Sequence, residues 1–82
     1  MVLAVYPNPM ASRATLSVVV PNDGYTEVDL ISMDGQRDAP VARLYHAGNY
    51  TIPFTTDLPS GAYLLSLRSG NDRITKVVEI IR

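Results

Sequence analysis

Apolar and polar residues alternate in short runs along most of the chain. In the run 14–20 every second residue is apolar, and Thr15 and Ser17 stand between them. A later run places Tyr63, Leu65 and Leu67 on one face of an extended chain, because successive side chains of a strand point to opposite sides. No stretch keeps a helical period over three turns. The pattern therefore predicts β-strands throughout.

Clusters of Gly, Pro, Asn and Asp separate these runs at short intervals, which is typical of a β-sandwich. We predict seven strands, over residues 2–6, 14–20, 25–32, 40–45, 49–54, 61–69 and 72–81. They form one all-β domain over residues 1–82, an immunoglobulin-like antiparallel β-sandwich. The predicted core residues are Leu16, Val18, Val28, Leu30, Ile52, Phe54, Tyr63, Leu65, Val78 and Ile80.

Two of the strands have features that qualify the prediction. The fourth has the weakest signal, because residues 41–45 do not alternate cleanly. The fifth contains Pro53, which has no N–H to donate to a ladder. Pro53 therefore predicts either an edge strand or a bulge.

The charge balance excludes several classes of protein. Seven basic and eight acidic side chains give the 82 residues a formal net charge of −1. A nucleic-acid-binding protein or an electrostatic membrane anchor would carry a basic field, so neither is expected.

No apolar run approaches the roughly 20 residues of a membrane-spanning helix. The first residues also lack a signal peptide, so we expect any export signal to lie on a larger parent protein.

The sequence offers little for catalysis or metal binding. There is no Cys, His46 is the one histidine, and no Gly-x-Ser-x-Gly segment occurs. The carboxylates are scattered, whereas a calcium loop needs them at alternating positions. We predict no enzymatic activity, no cofactor and no tight metal site. If a site did exist, its ligands would come from Asp34, Asp38 or Asp72.

Five segments, in order, resemble motifs of one family, the type A C-terminal sorting domains of the type IX secretion system. The resemblance spans Tyr6 to Arg82. The chain departs from the family pattern at Gln36, where Arg is usual, at Ala62, where Val is usual, and in the longer stretch 37–43. The five segments are Val5-Tyr6-Pro7-Asn8-Pro9, the strand and turn 28–36, Ala47-Gly48-Asn49-Tyr50-Thr51-Ile52, the block 57–65 with Leu58-Pro59-Ser60-Gly61-Ala62-Tyr63, and Thr75-Lys76-Val77-Val78.

The resemblance implies a transport signal at the C-terminus of a larger protein of Bacteroidetes bacteria. The implied partners are an N-terminal passenger domain, the outer-membrane secretion machinery and a sortase-like peptidase. The implied route passes through the periplasm to the cell surface or the medium. The alternative function is that of an immunoglobulin- or fibronectin-like accessory module of a surface enzyme, binding carbohydrate or protein.

The resemblance also suggests roles for particular residues. We expect the motif positions to be mainly structural, with either positive φ or close backbone approach at Gly35, Gly48 and Gly61. Tyr63 is expected to act as a corner tyrosine over the core. We expect the terminal strand to be recognised by the secretion machinery, although it could equally serve only to complete the sandwich. The motif positions are Tyr6, Pro7, Asn8, Pro9, Asp34, Gly35, Gly48, Leu58, Pro59, Gly61 and Tyr63, and the recognition residues are Lys76, Val77, Val78, Glu79 and Arg82.

Overall fold

The computed structural model describes residues 1–35 and 38–82, and within them the chain forms seven strands. Each predicted strand is present, with its ends displaced by no more than two residues. The departure from the family pattern at Gln36 and Arg37 lies outside the described residues. The strands are β1 (Val2–Tyr6), β2 (Arg13–Val20), β3 (Thr26–Ser32), β4 (Asp38–Leu44), β5 (Gly48–Thr55), β6 (Gly61–Ser69) and β7 (Asp72–Ile80).

Two antiparallel sheets pack face to face, which confirms the predicted sandwich. The first sheet has the order β1-β2-β5, and the second has the order β4-β3-β6-β7. The outer face of each sheet carries most of the polar residues of its strands, together with exposed apolar residues such as Val2, Tyr6 and Val77. The four edges of the two sheets are β1, β5, β4 and β7.

The core lies between the inner faces of the two sheets. Eight of the ten predicted core residues are buried. Ile52 and Phe54 pack against the core but are only half-buried, because they belong to the edge strand β5. Further buried apolar residues are Leu3, Met10, Ala14, Val20 and Leu67.

The position of β5 confirms the edge-strand alternative for Pro53. The Thr56 N–H donates to the Ser12 carbonyl (2.9 Å), and the β2–β5 register continues from this pair without a shift. Because backbone groups alternate between the two sides of an antiparallel strand, the nitrogen of Pro53 faces away from β2. Proline therefore costs the ladder no hydrogen bond at this position.

The two ends of the described chain lie at opposite ends of the molecule. Met1 lies beside the β6–β7 turn, in a hollow that it shares with Gly70 and Asn71. Arg82 follows the other end of β7 and contacts Leu58 and Ser60. The longest dimension of the molecule is 36 Å, so the two ends are well separated.

Candidate functional site

The terminal strand β7 is an edge strand, paired with β6 on one side. Its other side is partly covered by the segment 8–10, which leaves β1 and crosses to the second sheet. The side-chain amide of Asn8 donates to the Val77 carbonyl (3.0 Å), and Asn8 Oδ1 accepts from the Glu79 N–H (3.1 Å). The Met10 N–H donates to the Glu79 carbonyl (2.8 Å), and the Met10 carbonyl accepts from the Ile81 N–H (2.8 Å). The half of the β7 edge from Val77 onwards, called the upper half here, is therefore closed by the chain itself.

The other half of the same edge, from Asp72 to Thr75, is open and is called the lower half. Backbone groups alternate between the two sides of a strand, so Arg73 and Thr75 face the same way as Val77 and Glu79. Within the described part of the chain, the outward backbone groups of Arg73 and Thr75 have no hydrogen-bond partner. A partner strand could add here without displacing Asn8 or Met10.

The predicted recognition residues differ in exposure. Lys76, Val77, Glu79 and Arg82 are exposed, and 56% of the Val77 surface is accessible. Val78 is completely buried in the core, so its side chain cannot meet a receptor on the folded domain. This confirms Val78 as one of the predicted core residues, because the alternation that exposes Val77 and Glu79 directs Val78 inward.

Arg82 is held in place at the end of the chain. Its N–H donates to Ser60 Oγ (2.9 Å), and its guanidinium donates to the Leu58 carbonyl (3.0 Å). Leu58 itself is half-buried and packs against the core. The residues after β7 are thereby joined to the loop between β5 and β6.

Two Gly-x-Tyr segments form matching corners at the starts of β5 and β6. Gly48 and Gly61 have φ values of +155° and +154°, a region that L side chains rarely adopt. Two residues later, Tyr50 donates its hydroxyl to the His46 carbonyl and Tyr63 donates to the Pro59 carbonyl, both at 2.6 Å. Tyr63 is buried and Tyr50 is half-buried, and each ring packs against its glycine.

The β3–β4 turn contains the other predicted glycine. Gly35 has φ of +75°, and its N–H donates to the Ser32 carbonyl (2.9 Å). The Ser32 hydroxyl donates to Asp34 Oδ1 (2.7 Å). Asp34 therefore contributes to a turn, and positive φ is confirmed at all three of the predicted glycines.

Met10 is the residue of this region that the sequence analysis missed. It is 1% exposed and forms an isolated parallel bridge with Ile80. It stands alone between turn residues, where periodicity gives no signal. The one available signal was a large apolar residue directly after Pro9.

A charged cluster covers the outer face of β3. Arg43 lies 3.4 Å from Asp29 and 3.9 Å from Glu27, and Arg68 pairs with both carboxylates. A hydrogen bond from Tyr25 and another from Arg68 lower the pKa of Glu27. Burial raises the pKa of Asp29, despite the two arginines. The two carboxyl groups are therefore shifted in opposite directions.

Metal-ligating groups and membrane-spanning helices were sought among the described residues. Residues 1–35 and 38–82 contain no group of three or more His, Cys, Asp or Glu side chains that could hold a metal ion. They also contain no helix that is long and apolar enough to cross a membrane. Asp34 lies in the β3–β4 connection and Asp38 begins β4, whereas Asp72 begins β7.

The comparison with protein families identifies the chain. The family model of the secretion system C-terminal sorting domain matches residues 4–81. The chain belongs to this family. A comparison of this chain with curated proteins found no match. The match covers nearly all of the chain, so it agrees with the resemblance seen across the five sequence segments.

Family membership assigns the general function. Members are C-terminal sorting signals for type IX secretion, a non-catalytic role, and the accessory-module alternative is not favoured. A sorting domain is attached to a passenger and is recognised by secretion machinery. The passenger is exported to the cell surface or the extracellular space.

Proposed function

We propose that this sorting domain terminates a larger protein and is recognised in the periplasm through exposed side chains on both faces of β7 and at Arg82. The recognition residues are Lys76, Val77, Glu79 and Arg82. The domain itself catalyses no reaction, and a sortase-like peptidase at the outer membrane acts on the exported protein. The position of β7 at the edge of its sheet, with these four side chains exposed, carries the proposal.

The contacts around β7 support a receptor that binds exposed side chains and also adds a strand to the sheet beside β7. The closed upper half of the edge holds Val77 and Glu79 at a fixed backbone geometry, with their side chains outside. The open lower half, at Arg73 and Thr75, supplies the backbone groups that strand addition requires. Lys76 lies between these two halves.

The direction of the chain supports recognition at Arg82, but not strand addition at Arg73 and Thr75, which lie at the end of β7 beside the β6–β7 turn. A passenger that precedes Met1 would leave the sandwich beside the β6–β7 turn. Arg82 lies at the opposite end, up to 36 Å away. A receptor that binds the Arg82 end of β7 would therefore meet little hindrance from the passenger.

An export assay with residues 1–82 fused behind a periplasmic reporter tests the proposal in a host with type IX secretion. We expect the double variant Lys76→Ala with Arg82→Ala to accumulate in the periplasm. Its free energy of unfolding should change by only a few tenths of a kcal/mol, because both side chains are exposed. The backbone bond from Arg82 to Ser60 is kept in this variant.

The matched control is Asn49→Ala with Thr51→Ala, which changes two exposed side chains on the edge strand of the other sheet. Neither side chain has a hydrogen-bond partner within residues 1–35 and 38–82. The control should be exported like the parent. Export of the β7 variant at the parental rate would show that these side chains are not recognised.

A further inference from the structure

A groove lies on the first sheet, away from β7, where β1 and β5 end and β2 begins. Its volume is about 520 Å³. Tyr6 and Pro7 line it from the end of β1, and Pro53 and Phe54 line it from β5. Tyr6 is 52% exposed, so its ring is available to a ligand.

The register of the sheet explains why these side chains meet. Tyr6 lies opposite Thr15, and Thr15 lies opposite Pro53, so the three form one row across the strands. Arg13 and Thr55 form the next row. Because the side chains of one row share a face, the outer face gains an aromatic ring, a proline ring and a cation side by side.

Arg13 is an unused cation at this groove. Its side chain is exposed, and it has no ion pair or hydrogen bond within the described residues. Arg43, Arg68 and Arg82 all bind carboxylate or carbonyl oxygens. The Arg13 guanidinium is therefore free to bind a carboxylate of a ligand, with two parallel hydrogen bonds.

The groove does not suit strand addition or sugar binding. Pro53 lacks the N–H that a ladder would need at this edge. Among the described residues, the groove is lined by no Asn, Gln, Asp or Glu, the side chains whose planar polar groups would pair with sugar hydroxyls. Rigid rings with a single cation fit a polyproline II segment, which docks its rings on aromatic walls without forming a ladder.

We propose that this groove binds an extended, proline-containing polypeptide segment with a carboxylate next to its prolines. Proline rings pack between Tyr6 and Pro53, and the carboxylate pairs with Arg13. The site lies on a different sheet from β7 and includes none of the residues proposed for recognition there.

Amide chemical shifts of ¹⁵N-labelled residues 1–82 test this proposal, with acetyl-Pro-Asp-Pro-Pro-amide as the probe. We expect shifts at Tyr6, Arg13 and Thr55, and binding at least about tenfold weaker when Lys replaces Asp in the peptide. Arg13→Gln should remove the difference between the two peptides. Arg73→Gln, an exposed arginine of the other sheet, should leave it unchanged.

Other results would overturn the proposal. Equal binding of the two peptides to the parent domain would exclude the carboxylate–Arg13 pair, and this comparison needs no variant to fold. Shifts confined to other parts of the domain would exclude the groove. Shifts of the groove amides with maltose, but not with the acidic peptide, would indicate a sugar site instead.

Discussion

Tyr63 and Tyr50 occupy equivalent positions in the two sheets, yet their hydroxyl hydrogen bonds differ in burial. Tyr63 bonds to Pro59 at a partly buried position, whereas Tyr50 bonds to His46 at the surface. A buried hydrogen bond is costlier to lose, because water cannot replace the missing partner as easily. The two corners therefore allow a matched comparison.

We expect Tyr63→Phe to lower the free energy of unfolding by about 0.5–1.5 kcal/mol, because it removes one partly buried hydrogen bond. Tyr50→Phe should cost less than about 0.5 kcal/mol, since the His46 carbonyl can bind water. Urea unfolding of the parent and both variants measures the difference. An equal loss in the two variants would show that burial of the corner does not matter.

At the scale of the strands, the sequence predicted the structure better than it predicted individual contacts. Alternation located all seven strands, and Pro53 indicated an edge strand. Side chains on an edge strand are covered on one side only, and the pairing of strands decides how much of each is buried. Ile52 and Phe54 were therefore predicted to be more buried than they are. The contact between Met10 and Ile80 joins residues far apart in the chain, and no local pattern encodes it.

The surroundings of the proposed recognition residues were predicted only in part for the same reason. The sequence indicated exposed charge at Lys76 and Arg82, and both are exposed. The closure of the β7 edge by Asn8 depends on how the chain crosses between sheets. Local alternation along β7 carries no information about that crossing.

The two halves of the β7 edge should differ in hydrogen exchange. The amides of Glu79 and Ile81 have partners and should exchange slowly, whereas those of Arg73 and Thr75 should exchange quickly. Asn8→Ala should speed exchange of the Glu79 amide by up to about tenfold, since it removes a bond worth about 0.5–1.5 kcal/mol.

Asn49→Ala is the control, because Asn49 is exposed on β5 and has no hydrogen-bond partner within the described chain. Exchange can be followed by NMR in deuterated buffer. Equal protection of the Thr75 and Glu79 amides in the parent domain would contradict the half-closed edge.

At the scale of the whole molecule, the charged cluster on β3 links stability to pH. Glu27 has a lowered pKa, so its contribution is present above the usual value of 4.5 and is lost as the pH falls through the folded-state pKa. Asp29 has a raised pKa, so the cost of ionising it is present above the folded-state pKa. That cost disappears below the usual value of 3.8. The two groups therefore oppose each other in acid.

Substitution of each carboxyl should separate these effects. Relative to the parent, Glu27→Gln should lose less stability between pH 7 and about pH 3, because it lacks the group that acid neutralises. Asp29→Asn should lose more over the same range, because it lacks the group whose ionisation cost acid relieves. Thermal unfolding at both pH values measures the loss of stability in the parent and in each variant. If both variants lost more stability than the parent, or both lost less, the opposing roles of Glu27 and Asp29 would be refuted.

The crossing of residues 8–10 onto β7 has a consequence for how the domain is completed during synthesis. Asn8 and its partners Val77 and Glu79 are 69 and 71 residues apart in a chain of 82. Contacts of such separation form only after nearly all of the chain is available. A polypeptide truncated before Val77 would leave Met10 without its backbone partners and the core without Val78 and Ile80. The domain therefore cannot complete its core in a polypeptide that is interrupted before residues 77–80 are made.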